Sequence, residues 1–320
     1  MIKIPENYQR NIIGMFGEAG ANWLANVPSI IQKYIEDFLL YDVRILEDLT
    51  FNIILFAKSN EMGPVMLKIS LPENELIVRE TLALEHFKGQ GACNCFYSNR
   101  EDGVLIIEQL FPGKTLHEVA SREERIQEFS KVALKLKQVQ GLEHQLPTYR
   151  TILNRSITSA SQNQEKYAPI LDCLTIADDL YRSIEAEEKT KHVLHADLHH
   201  SNILSSGNER KAVDPHGFIG EKVMESARFM ENEIPKTGFT KESIEETIAL
   251  MKKHYGENEI DLLKALYIDY VLSTCWDIEV NFEQQHIAND ISNINLVYEL
   301  LLDHIKKQES ITKTHNPKRN

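Results

Sequence analysis

Cysteine is scarce in this 320-residue chain: there are four, at positions 93, 95, 173 and 275. Four thiols cannot staple a chain of this length, and the single residue between Cys93 and Cys95 is the wrong spacing for a CxxC redox or metal pair. With 14 glycines and 10 prolines the composition excludes a collagen-like or mainly disordered polypeptide. No apolar run reaches the roughly 18 residues of a membrane-crossing helix. Lys3 and Arg10 precede an apolar stretch that Glu18 soon interrupts, which is not a signal-peptide pattern. The expectation is a soluble cytoplasmic protein with reduced thiols. Positive charge is also in deficit, 35 basic residues against 48 acidic, a net charge of −13. Such a field disfavours nucleic acid and anionic membranes and suits a cationic partner.

What is present is a change of period along the chain. From Trp23 to Leu40 apolar residues (Leu24, Val27, Ile30, Ile31, Tyr34, Ile35 and Phe38) recur at helical spacing, which predicts a leading helix over 22–40. Short apolar or alternating runs follow at Val43–Leu49, Asn52–Ala57 and Val65–Ile69, with a turn at Ser59–Pro64, and they read as strands. Two more runs, Asn94–Ser98 and Val104–Gln109, flank the turn Asn99–Gly103. Between the third and fourth strands Glu73–Phe87 has helical spacing. Phe111-Pro112-Gly113 then interrupts, and Thr115 with Glu118 has the spacing of a capping box. Beyond it the composition is helical, apart from Val193–Val213. The fold class that follows is α+β. A small antiparallel β-sheet lobe with one inserted helix (1–110) precedes a larger helical lobe (111–305), and 306–320 form a frayed basic tail.

The chemistry concentrates in His195-Ala196-Asp197-Leu198-His199-His200-Ser201-Asn202 and in the Asp214 that follows. One reading is a metallohydrolase centre, because His192, His195, His199 and His200 crowd Asp197, but the spacing fits neither HExxH nor paired CxxC patterns. The other uses the carboxylates. An Asp, four intervening residues, an Asn, and then an Asp past a β-like run is the catalytic-loop arrangement of phosphoryl transfer. A hydroxyl nucleophile needs a carboxylate to take its proton, and magnesium wants hard oxygen ligands. The partner half is also legible. Lys68 lies inside the third apolar run, and Glu80 follows twelve residues later on a helix, the order of a phosphate-binding lysine and its glutamate. Glu108-Gln109-Leu110 falls between the lobes, where the backbone of Glu108 and Leu110 can read adenine. No GxGxxG lies between the first two strands; the turn there is Leu49-Thr50-Phe51-Asn52.

Together these motifs resemble the aminoglycoside phosphotransferases, in the branch of streptomycin 6-kinases and hydroxyurea resistance kinases. The branch motif HGDLHxGNIL…DPKGxxGE stands here as HADLHHSNIL…DPHGFIGE, from His195 to Glu221. VMLKIS around Lys68, RETLALEHFKGQGAC around Glu80, IIEQLFPGKTL at the hinge and VLSTCWDIE around Trp276 match as well. The resemblance spans roughly residues 15–300 and implies a protein-kinase-like two-lobed fold. It implies ATP and magnesium (Mg2+) as cofactors, with Asp197 as catalytic base, Asn202 and Asp214 as metal ligands, Lys68 on the phosphates and Glu80 as its partner. His195 matches the family's loop histidine, a backbone-fixing residue. Three departures stand out: Ala196 and Ser201 replace glycines, and His216 replaces a lysine. Ala and Ser are tolerated where φ stays negative.

The expected activity is phosphoryl transfer from MgATP to a hydroxyl of a small, cationic aminoglycoside such as streptomycin. The alternatives are a metabolite kinase of the same fold, acting on a sugar or amino alcohol, and a non-catalytic nucleotide-binding scaffold. For the acceptor, the acidic residues Glu221, Glu225, Glu231, Glu233, Asp277, Glu279 and Glu283 are candidates, with Glu225, Trp276 and Asp277 expected to line the cleft.

Overall fold

The computed structural model describes residues 3–47, 49–72, 74–135, 141–142 and 144–315. Two compact units emerge: 1–114 with 204–216, and 115–203 with 217–320.

The first unit opens with helix α1 (Glu6–Asp37), longer than the periodicity predicts. Glycines at 14, 17 and 20 obscure the pattern of its first half, and Gly17 itself has φ +57, a left-handed value that interrupts the helix. The strands are β1 (Tyr41–Ile45), β2 (Ile53–Ser59), β3 (Gly63–Ile69), β4 (Cys95–Asn99) and β5 (Val104–Glu108). They form one antiparallel sheet in the order β1-β2-β3-β5-β4. Side chains alternate across a sheet. Ile53, Leu55 and Ala57 of β2 and Val65, Leu67 and Ile69 of β3 therefore share one face, and they join a core with Tyr8, Ile12, Trp23, Val27 and Tyr34 of α1. Lys68 falls on the opposite face by parity. Helix α2 (Glu75–Phe87) starts where the Asn74 side chain accepts from the Leu76 N–H; the Glu73 expected to begin it lies outside the described residues.

The segment 204–216, read from sequence as part of the helical lobe, belongs instead to this unit. It carries most of β8 (Ile203–Ser206) and β9 (Glu209–Ala212), which pair with β6 (Pro112–Thr115) in the order β6-β8-β9. The Cys93 N–H donates to the Ala212 carbonyl at 2.9 Å and the Ala212 N–H to that of Gly91 at 2.8 Å, which ties β9 to the chain before β4.

In the second unit Thr115 and Glu118 do not cap a long helix. Thr115 makes no side-chain cap and precedes a single 3-10 turn, Leu116–Glu118. The reason is local: Arg125 Nη1 donates to the carbonyls of both Val119 and Ala120, holding that stretch out of a helix. Helix α3 (Arg122–Ala133) follows from Ser121, whose Oγ accepts from the Glu124 N–H at 3.3 Å. Then come α4 (Tyr149–Gln162), α5 (Gln164–Tyr167), α6 (Leu171–Glu187), α7 (Glu225–Glu233), α8 (Lys241–His254), α9 (Glu259–Glu279) and α10 (Gln284–His315). Strand β7 (His192–Leu194) pairs antiparallel with β10 (Phe218–Gly220), which the sequence reading missed. Helix α9 is buried on nearly every side and forms the core of the unit. Helix α10 runs to His315, so the basic segment expected to fray from Lys306 is helical there; residues 316–320 lie outside the described residues. Among the described residues no helix is long and apolar enough to cross a membrane.

Candidate active site

The first unit supplies a buried cation between two carboxylates. Lys68 is 4% exposed, and its Nζ donates to Glu80 Oε2 at 2.6 Å and to Asp214 Oδ1 at 2.9 Å. Burial acts to lower the pKa of this ammonium, but Glu80 and Asp214 outweigh it and raise it, so Lys68 stays charged. Asp214 is half-exposed and has φ +58, a left-handed value that an Asp adopts more easily than most residues. Sequence placed Glu108 and Leu110 as readers of adenine through exposed backbone. The Glu108 N–H donates to the Asn94 carbonyl at 2.8 Å, which occupies that donor, and the Glu108 carboxylate accepts from Lys211 Nζ and Asn94. The next N–H, on Gln109, goes to the Pro64 carbonyl. Leu110 is buried.

The second unit holds the loop that carries Asp197. Two side chains fix its backbone. Glu225, at the start of α7, accepts from the N–H of His195 at 2.7 Å and from that of Ala196 at 3.2 Å. His195 Nδ1 in turn accepts from the Asp197 N–H at 3.3 Å. Asn202 Nδ2 donates to the Asp197 carbonyl at 2.9 Å and to its Oδ2 at 3.1 Å. With its NH2 so directed, the Asn202 amide turns its carbonyl oxygen away from Asp197. His199 Nδ1 accepts from the Ser201 N–H, and its Nε2 lies 3.5 Å from Asp197 Oδ2.

The two loop departures from glycine differ in cost. Ser201 sits in a 3-10 turn without a positive φ, so no glycine is required there. Ala196 has φ +62, where a Cβ is strained by about 1–2 kcal/mol. Ala196→Gly is therefore expected to raise stability by about 1 kcal/mol, less the entropy glycine gains in the unfolded chain. A thermal or denaturant midpoint at or below wild type contradicts this.

The histidines do not converge on one metal. His200 is fully buried, stacked on Phe229 and His117, with Nε2 2.6 Å from Glu233 Oε2. His192 lies near Glu188, and His195 serves the loop backbone. Among the described residues, the only three ligand-type side chains within reach of a single ion are Asp277, His286 and Asp290.

The acidic residues expected to face an acceptor largely have other work. Glu225 is 1% exposed and committed to two backbone amides; burial pushes its carboxyl up to about 8, so it does not line a cleft. Glu221 is fully buried and accepts from Tyr181 and Lys191. Glu233 takes a two-pronged pair of hydrogen bonds from Arg125. Trp276 is 59% exposed and stands outside the hollow that Asp277 lines, because neighbours on a helix point about 100° apart.

That hollow, about 340 Å³, is walled by Arg228, Glu231, Tyr270, Asp277, His286 and Asp290 among others. Arg228 connects it to the Asp197 loop: its Nε is 3.8 Å from Asp197 Oδ1 and 3.4 Å from Asp269 Oδ2, while Nη1 donates to Glu231 Oε2 at 2.7 Å. The sequence reading missed Arg228, His286 and Asp290. Arg228 had a signal, since it lies three residues after Glu225 on one helix face; His286 and Asp290 had only their i,i+4 spacing.

The chain matches the family model of aminoglycoside/hydroxyurea antibiotic resistance kinases over residues 39–281. It is 21% identical to a streptomycin 6-kinase of Streptomyces glaucescens over 229 residues, 69% of this chain and 72% of that one. In fold it is similar to choline kinase LicA from Streptococcus pneumoniae (TM-score 0.60, 16% identity, 86% of this chain and 99% of that one). A thermostable variant of aminoglycoside phosphotransferase APH(4)-Ia, solved with ADP and hygromycin B, gives a TM-score of 0.56 at 12% identity, with 84% and 97% covered. These likenesses establish the protein-kinase-like α+β fold. With an ion-paired strand lysine in one unit and an Asp–Asn loop in the other, this chain belongs to the aminoglycoside/hydroxyurea antibiotic resistance kinase family and is a small-molecule phosphotransferase with a hydroxyl group as acceptor.

Proposed function

We propose that the chain transfers the terminal phosphoryl group of ATP to a hydroxyl of a cationic, guanidinium- or ammonium-bearing aminocyclitol of the streptomycin type. The observation that carries the acceptor assignment is the hollow beside Asp197. Glu231, Asp277 and Asp290 face it, with Glu231 held by Arg228 and with Asp277 and Asp290 both beside His286, so carboxylate oxygens line the wall that an incoming cation would meet. Guanidinium groups pair with carboxylates in two-pronged fashion and are weakly hydrated, which suits such a wall. The streptomycin 6-kinase relatives support the same class.

In this reading Lys68 holds the phosphates of ATP and Glu80 keeps the lysine in place. The acceptor hydroxyl gives its proton to Asp197 as the oxygen–phosphorus bond forms and the bond to ADP breaks. Asp214 and Asn202 fit as holders of Mg2+, because they offer a carboxylate and an outward-turned amide carbonyl, the hard oxygens this ion takes. When bound, the ion neutralises phosphate charge.

The test is ATP consumption over a panel of acceptors, with the Michaelis constant of a guanidinylated aminocyclitol followed from low to high salt. Screening shortens from about 30 Å at 0.01 M to about 10 Å at 0.1 M. The constant is therefore expected to rise several-fold while turnover at saturation holds. A salt-insensitive constant, or equal use of a neutral sugar, sinks the cationic-acceptor assignment in favour of a metabolite kinase.

A further inference from the structure

The chain before residue 39 lies outside the family match, yet it reaches the turn between β1 and β2. In protein kinases a glycine-rich loop between the first two strands closes over the phosphates. Here residues 46–52 contain no glycine, so the turn cannot shape itself around phosphate through backbone freedom alone. It is anchored instead. Leu49 is buried in the same core as Tyr8, Ile12 and Trp23 of α1. Tyr8 is fully buried, and its hydroxyl donates to the Phe51 carbonyl at 3.2 Å.

Local geometry brings Tyr8 there. The left-handed φ of Gly17 folds the first half of α1 back on the second. The halves approach so closely that a Cβ on Gly20 would stand 2.8 Å from the Ile12 carbonyl oxygen, eight residues earlier. In a straight helix eight residues span about 12 Å, so the fold-back is real.

A trans peptide points its C=O and N–H in opposite directions. With the Phe51 carbonyl held by Tyr8, the Asn52 N–H is turned away from α1. The sheet face away from α1 is the one that carries Lys68. We propose that Tyr8 is a nucleotide-positioning residue: through the Phe51 carbonyl it fixes the Phe51–Asn52 peptide so that this turn presents backbone N–H to the phosphates, in place of glycine-rich flexibility. The inference rests on the ATP-dependent kinase reading above. Burial pushes the Tyr8 phenol up, which keeps it a hydrogen donor across the working pH range.

The experiment measures nucleotide affinity directly, with MgADP and a non-hydrolysable ATP analogue, and steady-state kinetics alongside. Tyr8→Phe removes one hydroxyl and no packing volume. It is expected to weaken nucleotide binding and raise the Michaelis constant for ATP by about three- to tenfold, the span of one hydrogen bond, with kcat at saturating ATP unchanged. Gly20→Ala, which pries the halves of α1 apart, is expected to act in the same direction. Tyr34→Phe is the control: it removes an equally buried hydroxyl of α1 that bonds to Asp102 rather than to the turn. It should leave nucleotide affinity at the wild-type value. Wild-type affinity in Tyr8→Phe, or the same loss in Tyr34→Phe, overturns the proposal. Absence of nucleotide binding by the unaltered chain overturns the kinase reading beneath it, a distinct result.

Discussion

Asp197→Asn is expected to cut kcat by about 10²–10⁴, the range for loss of a general base. The lower end is favoured because the transition state of phosphoryl transfer is loose and draws less on the base. Nucleotide affinity and thermal midpoint should stay near wild type. The backbone of this loop is fastened by Glu225 and by His195, neither of which needs the Asp197 carboxylate. An Asn side chain also keeps an oxygen that can accept from Asn202 Nδ2. The checks are single-turnover kinetics, nucleotide titration and a melting curve on the same preparation. Normal turnover in the variant removes Asp197 from the role of base.

The second large effect belongs to Lys68. Lys68→Met keeps the bulk of the side chain but leaves Glu80, 5% exposed, without its ion-pair partner. Removing one member of a buried pair costs about 3–5 kcal/mol, because the remaining charge is stranded. Activity should fall by at least about 10²–10³, the penalty for losing a preorganised charge-stabilising donor. The two losses are separable. In a Lys68→Met, Glu80→Gln double variant the stranded charge is gone, so most of the stability should return while turnover stays lost. If the double variant regains turnover, Lys68 matters to the fold and not to the phosphates. The measurements are denaturant midpoints of the two single variants and the double variant, with ATP turnover beside them.

Much of this was legible in the chain because the information is local. Alternation with period two marks β2, β3 and β5, and the 3.6-residue period marks α2. The Asp-x4-Asn spacing is a property of one short loop. Lys68 and Glu80 are related by a strand, a turn and a helix in direct succession, so their pairing follows from element order. Even the cost at Ala196 was anticipated as a condition on φ, although only the backbone shows that φ is +62.

What stayed hidden depends on contacts far apart in sequence. Glu225 looked like any acidic residue on a helix, and only the fold shows it buried against the amides of His195 and Ala196. Arg228 meets Asp197 from the loop and Asp269 from α9, besides Glu231 on its own helix. Segment 204–216 changed units because its hydrogen bonds run to residues 91–93, more than a hundred positions earlier. The first half of α1 was obscured by glycines, whose use here is a fold-back that brings Tyr8 to the turn at Phe51. The sequence by itself determined the reaction type, through residue chemistry at short spacing. The tertiary structure alone decided which carboxylates line the hollow beside Arg228 and which are consumed in holding the loop. Burial and partner choice are set by long-range packing, and residue type at one position cannot encode them.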